Sequence, residues 1–370
     1  MPPVRIHVVD PPAYTPPYDH ALCAALAAAG ADVTLVTSRF AYGAVPRGEG
    51  YRVEEAFYAR GPQAPGGRAR RAARLAQHLP DMLRYRRRAP READVVHLQW
   101  LSVQQLDQRL LPSGVPLVLT AHDVLPREPT RGQHDAQRRL YERVDAVVVH
   151  SEHGRGRLVA EGDVDPAKIT VIPHGAFTHL LDVPDAQPLA GELAGVEGPV
   201  VLLFGLMRPY KGIDVAVEAW RGIDGAELWV VGLPRMDTAE LKAGAPPGVR
   251  FVERFVGDAE LPAFFERAAA VVLPYREIDQ SGVLFTALAF GRPLVLSAVG
   301  GFPEVADHGG AVLVPPDDAA ALRDALRGLL TDEPARLALG EAAALAARTH
   351  YGWDAIARAH LELYATLTAA

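Results

Sequence analysis

The chain has 370 residues, 49% of them hydrophobic, and its 38 Lys and Arg against 45 Asp and Glu give a formal net charge of −7. This length exceeds one typical core and favours two domains, while the acidic balance argues against a general nucleic-acid partner. The single cysteine, Cys23, excludes an internal disulfide and fits a reducing compartment, and no apolar run is long enough to span a bilayer.

The first half alternates strands and helices, the pattern of a doubly wound parallel sheet. It begins with the strand VRIHVVD, which starts so early that we expect no signal peptide and a cytoplasmic location. A helix that ends at Gly30 follows, and further strands are predicted at 32–38, 93–100, 116–124, 145–151 and 168–177. Ligands bind beyond the carboxyl ends of such strands, where six candidate site residues lie: Tyr14, Tyr18, Arg39, His97, His122 and Asp123.

One segment of this half is strongly basic. Between Arg60 and Arg91, with both ends included, there are ten Arg and a single acid, Asp81. Four apolar side chains share one helical face, with Arg on the others: Leu75, Leu79, Met82 and Leu83. An amphipathic basic helix of this kind can lie on an anionic membrane, so Arg68 to Arg88 is a candidate for peripheral contact with its inner face. A solvated helix that packs on the sheet through its leucine stripe is the alternative.

The second half repeats the alternation after a linker rich in Pro, Gly and Ala, between Asp182 and Pro199. Strands are predicted at 198–205, 226–232, 249–256, 270–273, 294–297 and 311–316, and helices at 213–220, 261–267 and 283–290. We therefore predict an N-terminal domain over residues 1–185 and a C-terminal domain over residues 186–350.

Two features of the second half indicate a diphosphate site. Arg208 and Lys211 follow its first strand, and Gln280, Ser281 and Gly282 precede a later helix on the same sheet. The N-terminus of a helix carries unpaired N–H groups and a partial positive charge, which suit a phosphate. Two cations at a matched position suit a diphosphate. The alternative is an ordinary strand–helix unit with a serine cap and solvated cations.

These motifs resemble, in their order, those of a known family. FGLMRPYKGIDVAVEAW, SGVLFTALAFGRPLVLSAVGGFPEV and GAVLVPPDDAAAL are similar to the donor half of family 4 glycosyltransferases of the GT-B fold. DVVHLQW, LVLTAHDVLP and ITVIPHGAF resemble the acceptor half of that family. The terminal YGWDAIARAHLELYATL, within residues 351–370, resembles its last helix, which crosses back onto the N-terminal domain. The resemblance implies two Rossmann-like, doubly wound domains that face a cleft.

The resemblance also implies a reaction and a set of roles. The chain would be a retaining transferase that moves a sugar from a nucleoside diphosphate sugar to a glycan, lipid-linked or small-molecule acceptor, without metal or another cofactor. The catalytic residues would be His122, beside the transferred sugar, with Arg208 and Lys211, which would hold the diphosphate and stabilise charge on the leaving group. The remaining donor-binding residues would be Gly205, Phe255, Glu277, Gln280, Ser281, Gly282, Val283 and Thr286. The six candidate residues of the first half would then lie on the acceptor side.

The sequence departs from the family pattern at two positions. The family carries two Glu eight residues apart on the donor loop and helix, where this chain has Ile278 and Thr286, with Glu277 one residue away from the first. Thr286 offers one hydroxyl where a carboxylate would accept hydrogen bonds from two ribose hydroxyls. A non-catalytic nucleotide-binding protein and a GT-B nucleotide-sugar epimerase are therefore alternatives. A dehydrogenase is disfavoured because no G-x-G-x-x-G follows the first strand.

Overall fold

The computed structural model describes residues 2–43, 45, 48–60, 67–126 and 129–369. The chain divides into two units, one formed by residues 1–175 with 353–370 and the other by residues 176–352. The predicted domain boundary, between residues 185 and 186, therefore falls inside the second unit. The segment from Arg60 to Gly67 includes residues 61–66, which lie outside the described part of the chain.

The first unit is built on one sheet of parallel strands. They are β1 (Arg5–Asp10), β2 (Asp32–Ser38), β3 (Arg52–Phe57), β4 (Val95–Leu98), β5 (Leu117–Thr120), β6 (Ala146–Val149) and β7 (Ile169–Val171). Their order in the sheet is β3-β2-β1-β4-β5-β6-β7, and each neighbouring pair is parallel. Because the order reverses between β1 and β4, the crevice beyond the carboxyl ends of these two strands is the expected ligand position.

Strand β3 was not predicted from the sequence. It lies at the edge of the sheet, and its residues RVEEAF are mostly exposed except for Phe57. Edge strands carry charged side chains without a clean apolar alternation, so the periodicity that marks buried strands is weak here.

Within the described ranges, five helices belong to the continuous part of the first unit. They are α1 (Pro16–Ala28), α2 (Arg68–Glu92), α3 (Gln104–Asp107), α4 (Gln133–Arg143) and α5 (Glu152–Ala160). Helix α1 begins before the predicted start at Asp19, because proline at the first helical positions already has helical φ.

The leucine stripe predicted for the basic segment is only half correct. Helix α2 buries Met82, Tyr85 and Ala89 against the core of the first unit. Leu75 and Leu79 instead remain 66% and 44% exposed. The C-terminal half of α2 therefore packs on the sheet, while its N-terminal half presents leucine to solvent.

The second unit contains a second sheet of parallel strands. They are β8 (Val200–Phe204), β9 (Glu227–Val231), β10 (Val249–Val252), β11 (Ala268–Leu273), β12 (Leu294–Ser297) and β13 (Ala311–Val314). The order is β10-β9-β8-β11-β12-β13, which reverses between β8 and β11. The predicted strand 249–256 ends at Val252, so Phe255 lies in the loop that follows. The two parallel sheets confirm the predicted fold class.

The helices of the second unit cover this sheet or pack beside it. They are α6 (Ile213–Ala219), α7 (Ala239–Ala243), α8 (Leu261–Arg267), α9 (Gly282–Ala289), α10 (Phe302–Ala306), α11 (Ala319–Thr331) and α12 (Glu333–Arg348). Trp220 and other large side chains are buried between these helices and the strands. Helix α9 is apolar almost all round, which is why six of its eight residues are buried.

The last helix, α13 (Trp353–Thr368), belongs to the first unit and packs on α1. Its Tyr364 hydroxyl lies 2.6 Å from Nδ1 of His97 on β4. The chain therefore returns to its first unit at the end, as the resemblance implied. None of the helices in the described ranges combines the length and apolar character that a membrane crossing requires.

Candidate functional site

Three of the predicted donor-binding residues, Gly205, Lys211 and Val283, meet at the carboxyl end of β8. Gly205 follows this strand with φ of +109°, and a Cβ atom added there would lie 2.8 Å from Nζ of Lys211 and 3.2 Å from Cγ2 of Val283. The backbone conformation favours glycine here, and a Cβ atom would push the ammonium end of the Lys211 side chain away. The Lys211 ammonium, 7% exposed as a residue, is thereby held beside the first turn of α9, with its Nζ 5.0 Å from the ring centroid of Tyr275.

The N-terminus of α9 offers backbone donors at this position. Ser281 occupies the N-cap with φ of −134° and ψ of 118°, but its side chain makes no capping hydrogen bond within the described chain. Its own N–H donates to Oε1 of Gln280 at 3.2 Å. The N–H groups of Gly282 and Val283, in the first turn, have no acceptor inside the helix. An anion can therefore accept from them, next to the Lys211 ammonium.

The turn that carries the two cations is tied to the loop after β11. Arg208 is half-buried at the start of the 3₁₀ turn Pro209–Lys211, and Gly212 follows it with φ of +62°. A Cβ atom at Gly212 would overlap the carbonyl oxygen of Pro274, so the two loops touch. The Arg276 guanidinium donates to the carbonyl oxygen of Pro209 at 2.8 Å and thereby fastens the turn.

The positions at which the family carries Glu are buried. Ile278 and Thr286 are 7% and 5% exposed, whereas Glu277 is exposed. The Thr286 hydroxyl donates to the carbonyl oxygen of Gly282 at 3.0 Å, one turn earlier in α9. Since that bond uses the only hydroxyl hydrogen, Thr286 can offer a ribose nothing but a lone pair.

Phe255, one of the predicted donor-binding residues, lies in the loop after β10 and is 38% exposed. Its carbonyl oxygen accepts a hydrogen bond from the Arg254 guanidinium at 3.1 Å, and Arg254 also pairs with Glu260 at 2.6 Å. These contacts order the loop and leave the ring partly open to solvent.

In the first unit, the structure brings His122 into a network of side chains at the ends of β4, β5 and β6. The His122 ring stacks on Trp100, with centroids 5.0 Å apart and planes 9° from parallel. Its Nε2 atom lies 3.0 Å from Oε1 of Gln99, and its Nδ1 atom lies 3.3 Å from Nε2 of His150. His150 donates through Nδ1 to the carbonyl oxygen of Ile172 at 3.0 Å.

The imidazoles of this network surround the buried ring of Tyr18. Ring centroids of His122, His150 and His174 lie 4.9, 5.6 and 4.8 Å from that of Tyr18. Burial lowers the pKa of His150 to about 4, and burial together with the neighbouring imidazoles lowers the pKa of His122 and of His174 well below the ordinary value. All three rings are therefore neutral near pH 7 and can donate through one nitrogen and accept through the other.

A pair of carboxyl groups positions the loop that carries Tyr14. Asp10 and Asp19 are 0% and 2% exposed, and Oδ2 of Asp10 accepts from the N–H of Tyr14 at 2.6 Å. Burial and the charge of Asp10 raise the pKa of Asp19 well above its usual range, and burial raises the pKa of Asp10. Tyr14 itself is 58% exposed, and its ring lies 4.6 Å from that of Trp100.

The other predicted acceptor-side residues lie in different parts of the first unit. His97 lies in the interior, with Nδ1 2.6 Å from the Tyr364 hydroxyl and Nε2 2.7 Å from the Thr120 hydroxyl. The His97 side chain is fully buried as well as hydrogen-bonded at both ring nitrogens, which favours a structural role for it. Asp123 is partly exposed next to His122, while Arg39 is exposed beside a separate pocket at the end of β2.

Sequence reasoning missed four members of the His122 network: Gln99, Trp100, His150 and His174. Each lies at the end of a buried strand or just after it, as in VVVHS and VIPHG. This placement is the sequence feature that could have identified them as site residues. In the described ranges, no group of three or more His, Cys, Asp or Glu side chains is arranged to hold a metal ion.

Comparison with known proteins matches both halves of the chain. Residues 198–332 match the family described as "Glycosyl transferases group 1", and residues 18–179 match "Glycosyltransferase Family 4". The D-inositol 3-phosphate glycosyltransferase of Salinispora arenicola is 32% identical over 319 residues, which cover 76% of this chain and 71% of the relative. The Kribbella flavida enzyme of the same name is 30% identical over 313 residues, covering 76% and 73%.

Solved structures share the fold at low identity. A sucrose-phosphate synthase from Thermosynechococcus elongatus superposes with a TM-score of 0.75 at 22% identity, covering 99% of each chain. The Anabaena protein HepE, in complex with UDP-glucose, gives a TM-score of 0.72 at 18% identity and covers 98% of this chain and 99% of its own.

Proposed function

Since the chain belongs to glycosyltransferase family 4, we propose that Gly205, Arg208, Lys211 and the first turn of α9 hold the diphosphate of its nucleotide-sugar donor. The predicted enzyme class is confirmed: the protein transfers a sugar from a nucleotide sugar to an acceptor. The observation that supports the location is the approach of Lys211 and Val283 to the Cα atom of Gly205.

The chemistry of this site follows from its charges. When the bond between the sugar and the diphosphate breaks, negative charge grows on the leaving phosphate. A buried ammonium, a guanidinium and two backbone N–H groups, all in place before the reaction, stabilise that charge more than they stabilise the bound donor. The glycine contacts at positions 205 and 212 keep these groups in place.

We also propose that the reaction retains the configuration of the transferred sugar and needs no metal. Arg208 and Lys211 supply the positive charge that a divalent ion would supply to a diphosphate. NMR of the first-formed product would report the anomeric configuration, and inversion would contradict the proposal. Activity in excess chelator would test whether the reaction needs a metal. Complete loss of activity that is restored by Mg²⁺ or Mn²⁺ would contradict metal-independent transfer.

His122 is the catalytic candidate of the first unit. It is neutral and partly exposed, and Trp100, Gln99 and His150 orient its ring, so the exposed part of the ring can pack against a sugar. A group oriented in this way positions a reacting sugar without having to change its own protonation.

Nucleotide binding is the direct test of the donor site. The thermal stability of the protein would be measured with UDP, GDP, ADP and dTDP, beginning with UDP because HepE is described with UDP-glucose. A nucleotide at ~100 times its dissociation constant adds about 2.7 kcal/mol to the free energy of unfolding. Release of nucleoside diphosphate that depends on acceptor would complete the test, and stabilisation by none of the four nucleotides would contradict the site.

We further propose peripheral contact of α2 with an anionic membrane. Leu75 and Leu79 are exposed on its N-terminal half, and Pro80, Leu83, Arg84, Arg87, Arg88 and Arg91 line a shallow cavity of about 530 Å³ on its C-terminal half. Arg84 and Arg88 are partly neutralised by Asp81 and Glu54, so the remaining arginines carry most of the attraction. Apolar side chains beside arginine suit the boundary between headgroups and acyl chains.

A further inference from the structure

Glycines form the floor beside the proposed diphosphate site, between the ends of β8 and β9. Gly232 follows β9 with φ of +151°, and a Cβ atom there would overlap the carbonyl oxygen of Gly205. On the other side of the site, the loop after β11 lies against the end of β12, since a Cβ atom at Gly300 would overlap the carbonyl oxygen of Ile278. The nucleoside of a bound donor therefore finds room toward β9 and β10.

The strand beyond β9 is β10, at the edge of the sheet. Neighbouring strands lie about 4.8 Å apart, so the ends of β8 and β10 are roughly 10 Å apart. A ribose and a base together bridge a gap of this size, so a base whose diphosphate lies at β8 reaches the loop after β10. That loop carries Phe255, one of the predicted donor-binding residues, and Asp258.

The acids of this loop differ in their partners. Glu253 pairs with Lys242 at 2.6 Å, and Glu260 pairs with Arg254 at 2.6 Å. Asp258 is partly exposed and makes no hydrogen bond or ion pair with the residues that the structure describes. Burial raises the pKa of its carboxyl group above the usual value. The Asp258 carboxylate is therefore partly withdrawn from water without a compensating partner.

Helix capping does not account for Asp258, although it lies just before α8. The N–H groups of Glu260 and Leu261 both donate to the carbonyl oxygen of Gly257 at 3.0 Å, so the backbone caps the start of this helix. A carboxylate that is partly buried without a partner costs folding stability. A ligand that donates hydrogen bonds to Asp258 would offset this cost.

We infer that Asp258 binds the guanine base of the donor, so that the donor is a GDP-sugar. The inference rests on the proposed function, in which the diphosphate lies between β8 and α9. A carboxylate only accepts hydrogen bonds and can accept two side by side. Guanine presents two adjacent donors on its Watson–Crick edge, a ring N–H and an amino group. Uracil, thymine and adenine each place an acceptor beside their donor, which would face the carboxylate unfavourably.

The first test compares nucleotide affinities by calorimetry, with GDP, UDP and inosine diphosphate, which lacks the amino group of guanine. The native protein should bind GDP at least about tenfold more tightly than either of the others. Asp258→Asn should weaken GDP binding about tenfold or more, because the amide turns a donor toward the donors of guanine. The same amide offers one donor and one acceptor, which match uracil, so UDP binding should be unchanged or tighter.

Asp224→Asn is the matched control. Asp224 is exposed and precedes β9, at the opposite edge of the sheet, so its variant should bind GDP and UDP as the native protein does. UDP binding as tight as GDP binding in the native protein, or equal losses of both in Asp258→Asn, would overturn the inference. If Lys211→Met still weakens the binding of these nucleotides, the proposed donor site stands. Binding of none of the nucleotides would instead overturn the donor site and the inference together.

Thermal unfolding separates a binding role of Asp258 from a structural one. Asp258→Asn removes an unpaired, partly buried charge, so the Tm of the protein without nucleotide should be unchanged or higher. The stabilisation by GDP should decrease in this variant, in line with its lower affinity. A lower Tm without nucleotide, together with equal losses of GDP and UDP affinity, would assign Asp258 a structural role and overturn the inference.

Discussion

Nδ1 of His122 faces Nε2 of His150 at 3.3 Å, and this contact decides which nitrogen carries the proton on both rings. His150 donates from Nδ1 to the carbonyl oxygen of Ile172, so its Nε2 atom accepts, and Nδ1 of His122 must donate. Nε2 of His122 then accepts from Gln99, whose amide must turn its NH₂ group toward the ring. That rotation also gives a partner to the Gln99 nitrogen, which otherwise has none among the described residues.

We predict from this contact that His150 is a positioning residue for His122. His150→Leu should lower kcat between about tenfold and a hundredfold, because the His122 ring loses the acceptor that orients it. His150→Gln can both donate to Ile172 and accept from His122, so it should keep most of the activity. Nitrogen-15 NMR of the histidines should show His122 protonated at Nδ1 in the native protein. Protonation at Nε2, or equal activity of the two variants, would contradict the assignment.

The buried histidines predict that the first unit loses stability in mild acid. Burial lowers the pKa of His150, of His7 and of His360 to about 4. The His360 ring lies inside the contact between α13 and the sheet, 5.4 Å from the ring of His97. The ordinary pKa of histidine is about 6.5, so the unfolded chain takes up these protons first as the pH falls. Stability is therefore complete above pH ~6.5 and is lost progressively toward pH ~4.

Urea unfolding at several values between pH ~4.5 and ~7 would measure this loss. Each of these histidines can contribute about 3 kcal/mol at most, the equivalent of a pKa shift of about 2.5. The Asp10–Asp19 pair acts in the opposite direction, since its raised pKa values favour the folded state as the pH falls. His150→Gln should reduce the slope of the unfolding free energy with pH by up to one proton. An unchanged slope would contradict a neutral, buried His150.

Removal of the cations at the diphosphate site should reduce turnover far more than folding. We expect Arg208→Ala and Lys211→Met each to lower kcat/KM about a hundredfold, the equivalent of about 3 kcal/mol of lost charge stabilisation. Methionine is chosen because Lys211 is only 7% exposed, and its stem needs a replacement of similar length. Lys242→Met, at an exposed lysine paired with Glu253, is the matched control. Near-native kcat/KM in both site variants would remove the diphosphate from this position.

Gly205→Ala should displace the Lys211 ammonium. The added Cβ atom would lie 2.8 Å from Nζ, and φ of +109° is itself strained for alanine. We expect nucleotide affinity to fall about tenfold or more, since the charge can no longer rest beside the first turn of α9. Gly225→Ala is the control: its φ is +72°, but nothing lies within 4 Å of the added atom. Equal losses of affinity in the two variants would show that backbone strain alone is responsible.

Membrane contact through α2 predicts binding to anionic vesicles that decreases as salt is added. Electrostatic attraction to lipid is screened within about 10 Å at 0.1 M salt, whereas insertion of leucine is not. Leu75→Gln with Leu79→Gln should therefore weaken vesicle binding at high salt in particular. Leu337→Gln, at a leucine of α12 that is 59% exposed, is the control. Equally weak binding of the native protein to neutral and anionic vesicles would contradict the contact.

Sequence alone predicted the parallel strands of the two sheets, apart from the edge strand β3, and the residues of the proposed donor site. Buried parallel strands are continuous apolar runs, and the turn after each is marked by proline or glycine, so VVLLF and AVVL could be recognised without a structure. Arg208, Lys211 and Gly282 follow such strands, and parallel strands bring their carboxyl ends to one edge. Their meeting in space thus follows from the order of residues in the chain.

Only the tertiary structure decided which residues distant in sequence are in contact. His97 and His122 both stand near the ends of buried strands, yet α13 covers the first and completes its hydrogen bonds, while the second remains partly exposed beside His150. Tyr58, after β3, likewise meets His78 of α2 and Ser102 through its hydroxyl, and these contacts join residues 20 and 44 positions apart. Local periodicity reports whether a residue faces a core, because burial follows the helical or strand repeat. Periodicity carries no information on which distant side chain forms a hydrogen bond with a buried polar atom. For His97 and His122, these tertiary contacts separate a structural residue from a functional one.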